Sequence, residues 1–483
     1  MAHYAKNPLP LDRSALPEPV FDENPEWIDF YWKAWELAWD HVVEKPGAPA
    51  SPYMDEAFDP DTIWIWDTCF MVHFCKFAPQ LFPGIQSFDN FYRPLHEGAS
   101  STLKIQHPDN PPLFAWIEDE YLRYTGDLDR VRRILEQDAS LQKHYAFIDS
   151  AKAGTIVPGG VSPLAAERTP EGYHWNGISS GMDNTPRGRE AYGDILWFDL
   201  LAQQALAALR IASLAGKIGR EDIAESFRAE HETLKALANR YYWNDEDGTY
   251  YDIRHDDPTV QVKVKTPAAY WGLLAGFCDE AQAAQLAKLA EDAKGGFGGD
   301  APWPSVTPDD PDFHADGYYW QGGIWLPMAY MATCALREGG HAETGDRLAE
   351  RLLAHLFRTW KDYEPHTIWE AYSPTKPEPS TDKAEFEGQR VRPDFCGWSA
   401  LGPISLFIES VIGIHSVDTL TRTAHWRLHR NTRHGVKRFR FGDIVADLIH
   451  ENGTCTVTAS GAFTLVINGQ NFEIAAGEQE FSL

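Results

Sequence analysis

The chain of 483 residues is 43% hydrophobic and 13% aromatic, enough for a large core with a small additional domain. Its 71 acidic and 43 basic residues give a formal net charge of −28, which argues against nucleic acid and anionic membranes as partners and favours a small polar ligand. It begins without an apolar leader, lacks the ~20-residue apolar run of a membrane span, and its six cysteines form no CxxC pair. These features predict a cytoplasmic protein without a zinc site or a disulfide framework.

Helical signals dominate the first four-fifths of the chain. The first helix is predicted after Asn24 and Pro25, where a cap and an N1 proline precede apolar residues that recur from Ile28 to Val42 at helical spacing. Further helices are predicted at 66–78, 86–100, 112–125, 129–149, 190–216, 219–241, 266–276, 280–293, 322–337, 342–361 and 397–411. The total is about twelve helices.

These helices recur in pairs with no strand-rich stretch between them, which predicts helix-on-helix packing in a closed (α/α)6 barrel or an open solenoid. The loops 44–62, 153–188, 294–318 and 364–394 are much longer than the usual connections of ~2–8 residues. Long loops of this kind carry function and could crowd one rim of a barrel. We therefore expect a mainly α fold with an (α/α)6-barrel catalytic domain over residues 1–413.

The pattern changes after about residue 414 to short alternating runs separated by Asn-Gly and Gly turns. The predicted strands are 423–428, 437–441, 454–459, 463–467 and 472–474. Residues 414–483 are therefore expected to form a small, sandwich-like β domain. Its arginines alternate with apolar residues, which is typical of a solvated strand face rather than of a nucleic-acid site.

Two acids lie in long loops beside residues that suit a sugar site. Asp183 lies in HWNGISSGMDNTPRGR (174–189), which is predicted to enter a helix through its Thr-Pro pair, and Glu370 lies in HTIWEAYSP (366–374). Hydrolysis of a glycosidic bond needs two such carboxyls, one protonated to assist the leaving oxygen and one ionised to activate water. The structural alternatives are a helix cap at Asp183 or Asn184 and a loop salt bridge at Glu370.

Aromatic clusters at 64–70 (WIWDTCF), 318–325 (YYWQGGIW) and 395–399 (FCGWS) stand near predicted helix starts. Aromatic rings can stack on the apolar C–H face of a sugar, although each cluster could equally pack in the core. The candidate substrate-binding residues are Trp64, Trp66, Asp67, Phe70, Trp175, Asn184, Arg187, Trp320, Gln321, Trp325, Tyr372 and Trp398.

Read together and in this order, five motifs resemble glycoside hydrolase family 63 and its trehalase relatives, in particular the short bacterial mannosylglycerate and glucosylglycerate hydrolase type. The motifs are WDTCF (66–70), GMDNTPR (181–187), YWQGGIW (319–325), WEAYSP (369–374) and FCGWS (395–399). The resemblance runs from about residue 25 to 412.

The resemblance implies an (α/α)6 barrel, inversion at the anomeric carbon, Asp183 as general acid and Glu370 as general base. It also matches Trp66 and Asp67 to a pair that holds the terminal sugar, and Trp398 to an aromatic of the family. The chain departs from the family where relatives carry an Arg in place of Gln321. Its base motif also has Ala371 where an Asn is common, and Thr375 and Lys376 where Thr-Gly is common.

We expect an exo-acting inverting α-glycosidase for a small α-glucoside or α-mannoside, such as glucosylglycerate, mannosylglycerate or a disaccharide, with no cofactor. Candidates to hold an anionic aglycone are Arg187, Arg189, Lys376, Arg390 and Arg392, each of which could also form an ordinary ion pair.

Two other functions stay open. An (α/α) barrel could act on another sugar bond or isomerise a free sugar with paired histidines, for which His174, His314 and His366 are candidates. A non-catalytic α-solenoid that binds sugar would need neither acid. Some relatives bind structural calcium, and the Asp-rich stretches 244–248 and 309–310 could hold it, although both read more simply as turns.

Overall fold

The computed structural model describes residues 7–56, 59–187, 194–383 and 389–483. The α-helices in these ranges are α1 (Trp27–Asp40), α2 (Ile65–Cys75), α3 (Asp89–His96), α4 (Phe114–Thr125), α5 (Leu128–Arg132), α6 (Ser140–Asp149), α7 (Gly177–Ser180), α8 (Phe198–Lys217), α9 (Glu221–Leu237), α10 (Tyr270–Leu274), α11 (Glu280–Glu291), α12 (Leu326–Glu338) and α13 (Ala342–Asp362). Within the described ranges, no helix is both long enough and apolar enough to cross a membrane.

Other helical segments accompany these α-helices in the described ranges. Three segments are π-helical, at Arg133–Gln137, Ala238–Tyr242 and Gly402–Ile412. Four are 3₁₀ turns, at Arg13–Ala15, Ile85–Phe88, Pro267–Ala269 and Ser399–Leu401. Every predicted helix therefore coincides with helical structure. The predicted helix 129–149 is broken, because Ala139 adopts a left-handed backbone with φ of 50° between two helical pieces.

The strands are β1 (Glu18–Phe21), β2 (Val42–Val43), β3 (Tyr53–Met54), β4 (Thr62–Trp64), β5 (Lys104–Gln106), β6 (Glu167–Thr169), β7 (Gly172–His174), β8 (Ile195–Leu196), β9 (Trp243–Asn244), β10 (Thr249–Tyr250), β11 (Asp252–Arg254), β12 (Gln261–Val262), β13 (Ile414–Asp418), β14 (Thr423–Trp426), β15 (His434–Phe441), β16 (Ile444–Glu451), β17 (Thr454–Ala459), β18 (Phe463–Ile467), β19 (Gln470–Ile474) and β20 (Gly477–Ser482).

Two sheets lie in the last part of the chain. One has the order β13-β14-β18-β19, and the other has the order β1-β15-β16-β17-β20. Strand β1 comes from the opposite end of the sequence and pairs antiparallel with β15, from Glu18 with Lys437 to Phe21 with His434. The beginning of the chain is thus hydrogen-bonded into a sheet whose other strands all follow residue 433.

The expectation of no strand-rich stretch among the helices is wrong. A five-stranded sheet of order β12-β11-β8-β7-β6 lies within the helical part of the chain. Its strands have only two or three residues each. A run of this length is too short for the alternation of apolar and polar residues to be read from sequence. The helix expected from residue 190 also begins later, with α8 at Phe198, after β8; residues 190–193 lie outside the described ranges.

Helix packing is sequential along much of the chain: α8 contacts α9, α12 contacts α13, and α13 contacts the π-helix Gly402–Ile412. A buried ion pair ties three of the inner segments together. The ammonium of Lys76, directly after α2, is 1% exposed and lies 2.7 Å from a Glu120 oxygen and 2.8 Å from a Glu409 oxygen. Since the Glu409 side chain is also 1% exposed, neither charge can be compensated by water if its partner is removed.

Replacing Lys76 by Met should therefore lower the free energy of unfolding by up to about 3–5 kcal/mol, because it removes the cation that Glu120 shares with the buried Glu409 and leaves Arg337, 3.2 Å away, to compensate Glu409. Urea denaturation followed by circular dichroism measures the change. The matched control is Lys361→Met, whose partner Glu26 is 2.7 Å away with both side chains exposed, and which should change stability by less than about 1 kcal/mol. Equal losses in the two variants would contradict the prediction.

Candidate active site

A cavity of about 160 Å³ is lined by the ends of several helices and loops. Seven of the residues selected from sequence line it: Trp64, Trp66, Asp67, Asp183, Trp320, Trp325 and Trp398. The other lining residues are His107, Asn110, Ile178, Gly181 and Tyr319. Segments that are far apart in sequence thus contribute to one small space, which has indole rings and carboxyl groups in its wall.

The start of α2 supplies one side of the cavity. Strand β4 pairs with β5 and ends at Trp64, so that Trp66 and Asp67 fall in the first turn of the helix that follows. Asp67 is 1% exposed, and its Oδ1 has no hydrogen-bond partner among the described residues. Burial raises the pKa of Asp67 well above its usual value, and the charges of Glu370 and Asp183 raise it further.

Four tryptophans form a connected wall. The Trp66 ring lies 5.5 Å from the Trp398 ring and 5.9 Å from the Trp320 ring, and Trp320 stacks on Trp325 at 4.1 Å with an interplanar angle of 5°. Gly181 lies against this wall with φ of 79°, and a Cβ at that position would be 2.2 Å from a Trp66 ring atom. The glycine of the GMDN sequence is therefore required both by its backbone conformation and by the space that Trp66 occupies.

Asp183 lies in the turn after Gly181, and its side chain is 27% exposed. It forms an ion pair with the ammonium of Lys383, which also lies 4.6 Å from the centre of the Tyr319 ring. Burial raises the pKa of Asp183 above its usual value, whereas Lys383 opposes this rise because a cation favours the ionised carboxyl. Neither Asp183 nor Asn184 caps a described helix, since α8 begins at Phe198 after Trp197.

Asn184 fastens the turn of Asp183 to the loop that carries Tyr319. Its Oδ1 accepts from the Trp320 amide at 2.7 Å, its Nδ2 donates to the Tyr318 carbonyl at 2.9 Å, and its own carbonyl accepts from Gln321 Nε2 at 3.0 Å. Tyr318 and Tyr319 both have a left-handed backbone, with φ of 37° and 64°. Large residues avoid this conformation unless their surroundings impose it, and the hydrogen bonds to Asn184 provide such a constraint.

Glu370 is 2% exposed and does not itself line the cavity, but it contacts Tyr319, which does. One carboxylate oxygen accepts from the Tyr319 hydroxyl at 3.1 Å and the other from the Arg392 amide at 3.2 Å. The Glu370 carbonyl accepts from Trp398 Nε1 at 2.9 Å and from the Ser399 hydroxyl at 3.3 Å. Burial raises the pKa of Glu370 to about 7, although these two donors to the carboxylate oppose the rise.

Other residues selected from sequence lie behind the cavity wall. Phe70 packs edge-on against Trp66 at 5.9 Å, and Trp175 donates to the Asp109 carbonyl at 3.0 Å. Tyr372 pairs through its backbone with Ile324, whose amide donates to the Tyr372 carbonyl at 2.8 Å. These side chains are all buried and support the residues that line the cavity.

Two of the five candidate anion-holding residues have side chains that form ion pairs with other residues. Arg187 is buried and forms an ion pair with Asp199 at 2.7 Å, and Arg390 pairs with Glu378 at 2.6 Å. Arg392 donates its backbone amide to Glu370. Lys376 donates its backbone amide to the Ser373 hydroxyl at 3.3 Å. Arg189 lies outside the described residues.

The histidines considered for isomerisation do not line the cavity. His174 contacts His255 at a ring distance of 4.3 Å, His314 contacts Tyr318 at 4.7 Å, and His366 lies 2.9 Å from Glu364.

The candidate calcium turns contain lysine ion pairs instead of clustered ligands. Asp247 pairs with Lys263 at 2.7 Å, and Asp309 pairs with Lys265 at 3.2 Å. The described part of the chain contains no group of three or more potential metal-ligating side chains.

Sequence reasoning missed four residues near the carboxyls: Tyr319, Lys383, His107 and Asn110. Tyr319 belongs to the aromatic motif at 318–325, but nothing in that motif indicates that its hydroxyl binds Glu370. Lys383 is separated from Asp183 by 200 positions and carries no local signal. Burial lowers the pKa of His107, which favours the neutral imidazole beside Asp183.

Residues 97–387, more than half of the chain, match the model of the mannosylglycerate hydrolase MGH1-like glycoside hydrolase domain. The chain belongs to this family. It is therefore a glycoside hydrolase, and the resemblance drawn from the five motifs is confirmed.

Individual relatives agree with this assignment. An uncharacterized protein of Borreliella burgdorferi is 21% identical over 86% of both chains. The mannosyl-oligosaccharide glucosidase GCS1 of Arabidopsis thaliana is 24% identical over 77% of this chain and 49% of its own length. The crystal structure of the family 63 mannosylglycerate hydrolase of Thermus thermophilus matches 78% of this chain and 99% of its own with a TM-score of 0.58 and 18% identity, which shows a shared fold.

Substituting Gly181 by Ala in this glycoside hydrolase should displace Trp66 and reduce hydrolysis by at least about tenfold, because the new Cβ would overlap the indole ring. Steady-state kinetics and near-ultraviolet circular dichroism measure the effect. Gly219→Ala is the matched control, since Gly219 has a similar φ of 77° with nothing within 4 Å of the added Cβ. If both variants lose the same activity, backbone strain rather than contact with Trp66 explains the loss.

Proposed function

We propose that this glycoside hydrolase is an inverting, exo-acting α-glycosidase that cleaves a small α-glucoside or α-mannoside, with Asp183 as general acid and Glu370 as general base. The observation that carries the proposal is that Asp67 and Asp183 line one tryptophan-walled cavity, while Glu370 lies directly behind the lining residue Tyr319 and accepts a hydrogen bond from its hydroxyl at 3.1 Å. Two carboxyls with distinct surroundings are the chemical requirement for acid–base cleavage of a glycosidic bond.

The size of the cavity favours a single terminal sugar. Its volume of about 160 Å³ is small beside the ~300–1,000 Å³ of typical ligand pockets, so one sugar ring fits better than a longer chain. The rings of Trp66 and Trp398 can contact the apolar face of that sugar, while Asp67, with a free oxygen, can accept hydrogen bonds from its hydroxyls.

The proposed reaction transfers one proton at each side of the scissile bond. The protonated Asp183 gives its proton to the glycosidic oxygen as the bond from that oxygen to the anomeric carbon breaks. Glu370, as a carboxylate, takes a proton from the attacking water, whose oxygen bonds to the anomeric carbon on the opposite face. The products are a sugar of inverted configuration and the free aglycone hydroxyl.

Lys383 constrains this scheme. In the free enzyme its ammonium favours the ionised form of Asp183, which cannot act as an acid. Substrate binding must therefore separate Lys383 from Asp183, so that burial alone raises the pKa of the acid. The Lys383 ammonium then becomes free to contact the aglycone, for which an acidic group such as that of a glycerate is a suitable partner.

The fold and the relatives support the same proposal. We propose that the helices close into an (α/α)6 barrel over residues 1–413 and that residues 414–483 form a β domain that β1 joins through β15. The Thermus relative is a mannosylglycerate hydrolase, and the Arabidopsis relative is a mannosyl-oligosaccharide glucosidase. The predicted cytoplasmic location stays a prediction.

Proton NMR of the reaction with glucosylglycerate, mannosylglycerate and small α-disaccharides should show the β-anomer of the released sugar first. Asp183→Asn and Glu370→Gln should each reduce the rate by at least about 10²-fold, because each removes one proton-transfer group. Glu378→Gln is the control, since Glu378 pairs with Arg390 outside the cavity lining and its loss should leave the rate nearly unchanged. Early release of the α-anomer would contradict inversion, and turnover that survives either acid substitution would contradict the assigned roles.

The pH profile tests the part played by Lys383. Full occupancy of the assigned protonation states requires the pKa of Asp183 to exceed that of Glu370, which burial raises to about 7. Under this requirement, activity rises as pH increases through about 7 and falls as pH increases through the higher pKa of Asp183. Lys383→Met removes a charge that lowers the Asp183 pKa, so the alkaline limb of kcat/KM should move to higher pH. Lys263→Met, at an exposed ion pair with Asp247, should leave both limbs in place. An alkaline limb that does not move in Lys383→Met would contradict the assignment of that limb to Asp183.

A further inference from the structure

A second cavity, of about 420 Å³, lies at the other ends of the helices that border the candidate active site. Helix α2 carries Asp67 in its first turn and His73 in its last, and six residues of α-helix extend about 9 Å. Helix α12 likewise begins next to Trp325 of the first cavity and presents Tyr330 and Arg337 to the second. The second cavity is therefore a separate space, set apart from the first along the same helices.

Strands from the end of the chain form the outer wall of this far-end cavity. His415 and Ser416 of β13 and His425 of β14 line it, and His415 and His425 also line a larger cleft of about 780 Å³ between α13 and the same sheet. The helical part supplies the remaining lining residues: His73, Trp116, Glu120, Arg123, Tyr330, Cys334, Arg337, Glu338 and Glu409. The β segment thus takes part in building the far-end cavity.

His73 lies deep in the far-end cavity with its polar atoms unused. It is 1% exposed, and neither ring nitrogen has a hydrogen-bond partner among the described residues. Its ring lies 4.3 Å from the Trp116 ring and 5.0 Å from the Tyr330 ring. Burial lowers the pKa of His73, which leaves a neutral imidazole with one donor and one acceptor.

The charged groups of the far-end cavity compensate each other. Glu409 accepts from the Tyr330 hydroxyl at 3.1 Å and lies 3.2 Å from Arg337 and 2.8 Å from Lys76. Glu120 lies 2.7 Å from the same Lys76. A ligand of either net charge would meet like charges in this wall, whereas a neutral ligand with hydroxyl groups could donate to Glu120 and use both nitrogens of His73.

We propose that the far-end cavity binds a small, neutral polyhydroxylated molecule of the size of a monosaccharide or a short polyol. Its hydroxyls exchange hydrogen bonds with His73 and donate to Glu120, and its apolar face packs on Trp116. The volume exceeds that of the first cavity and falls within the range of small-molecule sites. The proposal is independent of the reaction at Asp183 and Glu370, and it gives the β segment a role in ligand binding.

The test uses fluorine NMR of the full chain labelled with 5-fluorotryptophan, titrated with glucose, mannose and glycerol. Trp116 reports on the far-end cavity and Trp398 on the candidate active site, each resonance being assigned from its Trp→Phe variant. At least one probe should shift the Trp116 resonance in a saturable manner. Asp67→Asn, which alters only the first cavity, should change the Trp398 titration and leave the Trp116 titration in place.

His73→Phe should weaken the Trp116 titration by at least tenfold, because it keeps a ring in the packing but removes both nitrogens, while the Trp398 titration stays unchanged. The matched control is His144→Phe at another buried histidine, which packs against Phe114 and His96 away from the far-end cavity lining. Should His73→Phe fail to fold, Cys334→Leu, which extends a longer side chain from a lining position, should have the same selective effect.

Three results would overturn the proposal. One is a Trp116 resonance that none of the three probes shifts. Another is a Trp116 shift that has the same midpoint as the Trp398 shift and disappears in Asp67→Asn. The Trp116 resonance would then report only binding in the first cavity. The last is tighter binding of gluconate or glucosamine than of glucose, which would contradict the neutral ligand class.

Discussion

The hydrogen bonds of Asn184 hold the candidate active site together. Its side chain and carbonyl bind the loop 318–321 from both sides, which places Tyr319 between Asp183 and Glu370. Tyr319 then donates to Glu370, and its ring faces the ammonium that pairs with Asp183. Two consecutive tyrosines adopt a left-handed backbone there, and the loop is held in it by Asn184 and by Thr381, whose hydroxyl and carbonyl accept from the Tyr318 and Tyr319 amides at 2.9 Å. Asn184 thus links the turn that carries Asp183 to the loop whose Tyr319 contacts Glu370.

Burial raises the pKa of the two carboxyls that line the cavity and of Glu370 behind its wall, but their neighbours modify the effect differently. Lys383 opposes the rise at Asp183, the backbone amide of Arg392 opposes it at Glu370, and Asp67 has an oxygen without a hydrogen-bond partner among the described residues. A single cavity can therefore hold carboxyls in different protonation states, as acid–base catalysis requires. In the proposed mechanism, the movement of Lys383 decides which state Asp183 adopts.

The same helices serve the far-end cavity. Helix α2 links Asp67 at its start to His73 and Lys76 at its end, and the buried pairs of Lys76 with Glu120 and Glu409 fix the helices around that cavity. The last strands of the chain complete its wall at His415 and His425. The β segment therefore covers the helix ends that lie away from the candidate active site.

The sequence by itself determined the helices with clear caps and periodic apolar faces, the strands at 454–459 and 463–467, and the motifs that identify the family, because each depends on residues close together in the chain. Only the tertiary structure decided that Lys383 pairs with Asp183, that Tyr319 reaches Glu370, and that β1 joins β15. The two- and three-residue strands between the helices were also beyond prediction. Such contacts join residues tens to hundreds of positions apart, so no local pattern in the sequence encodes them, and they form only when packing brings the segments together.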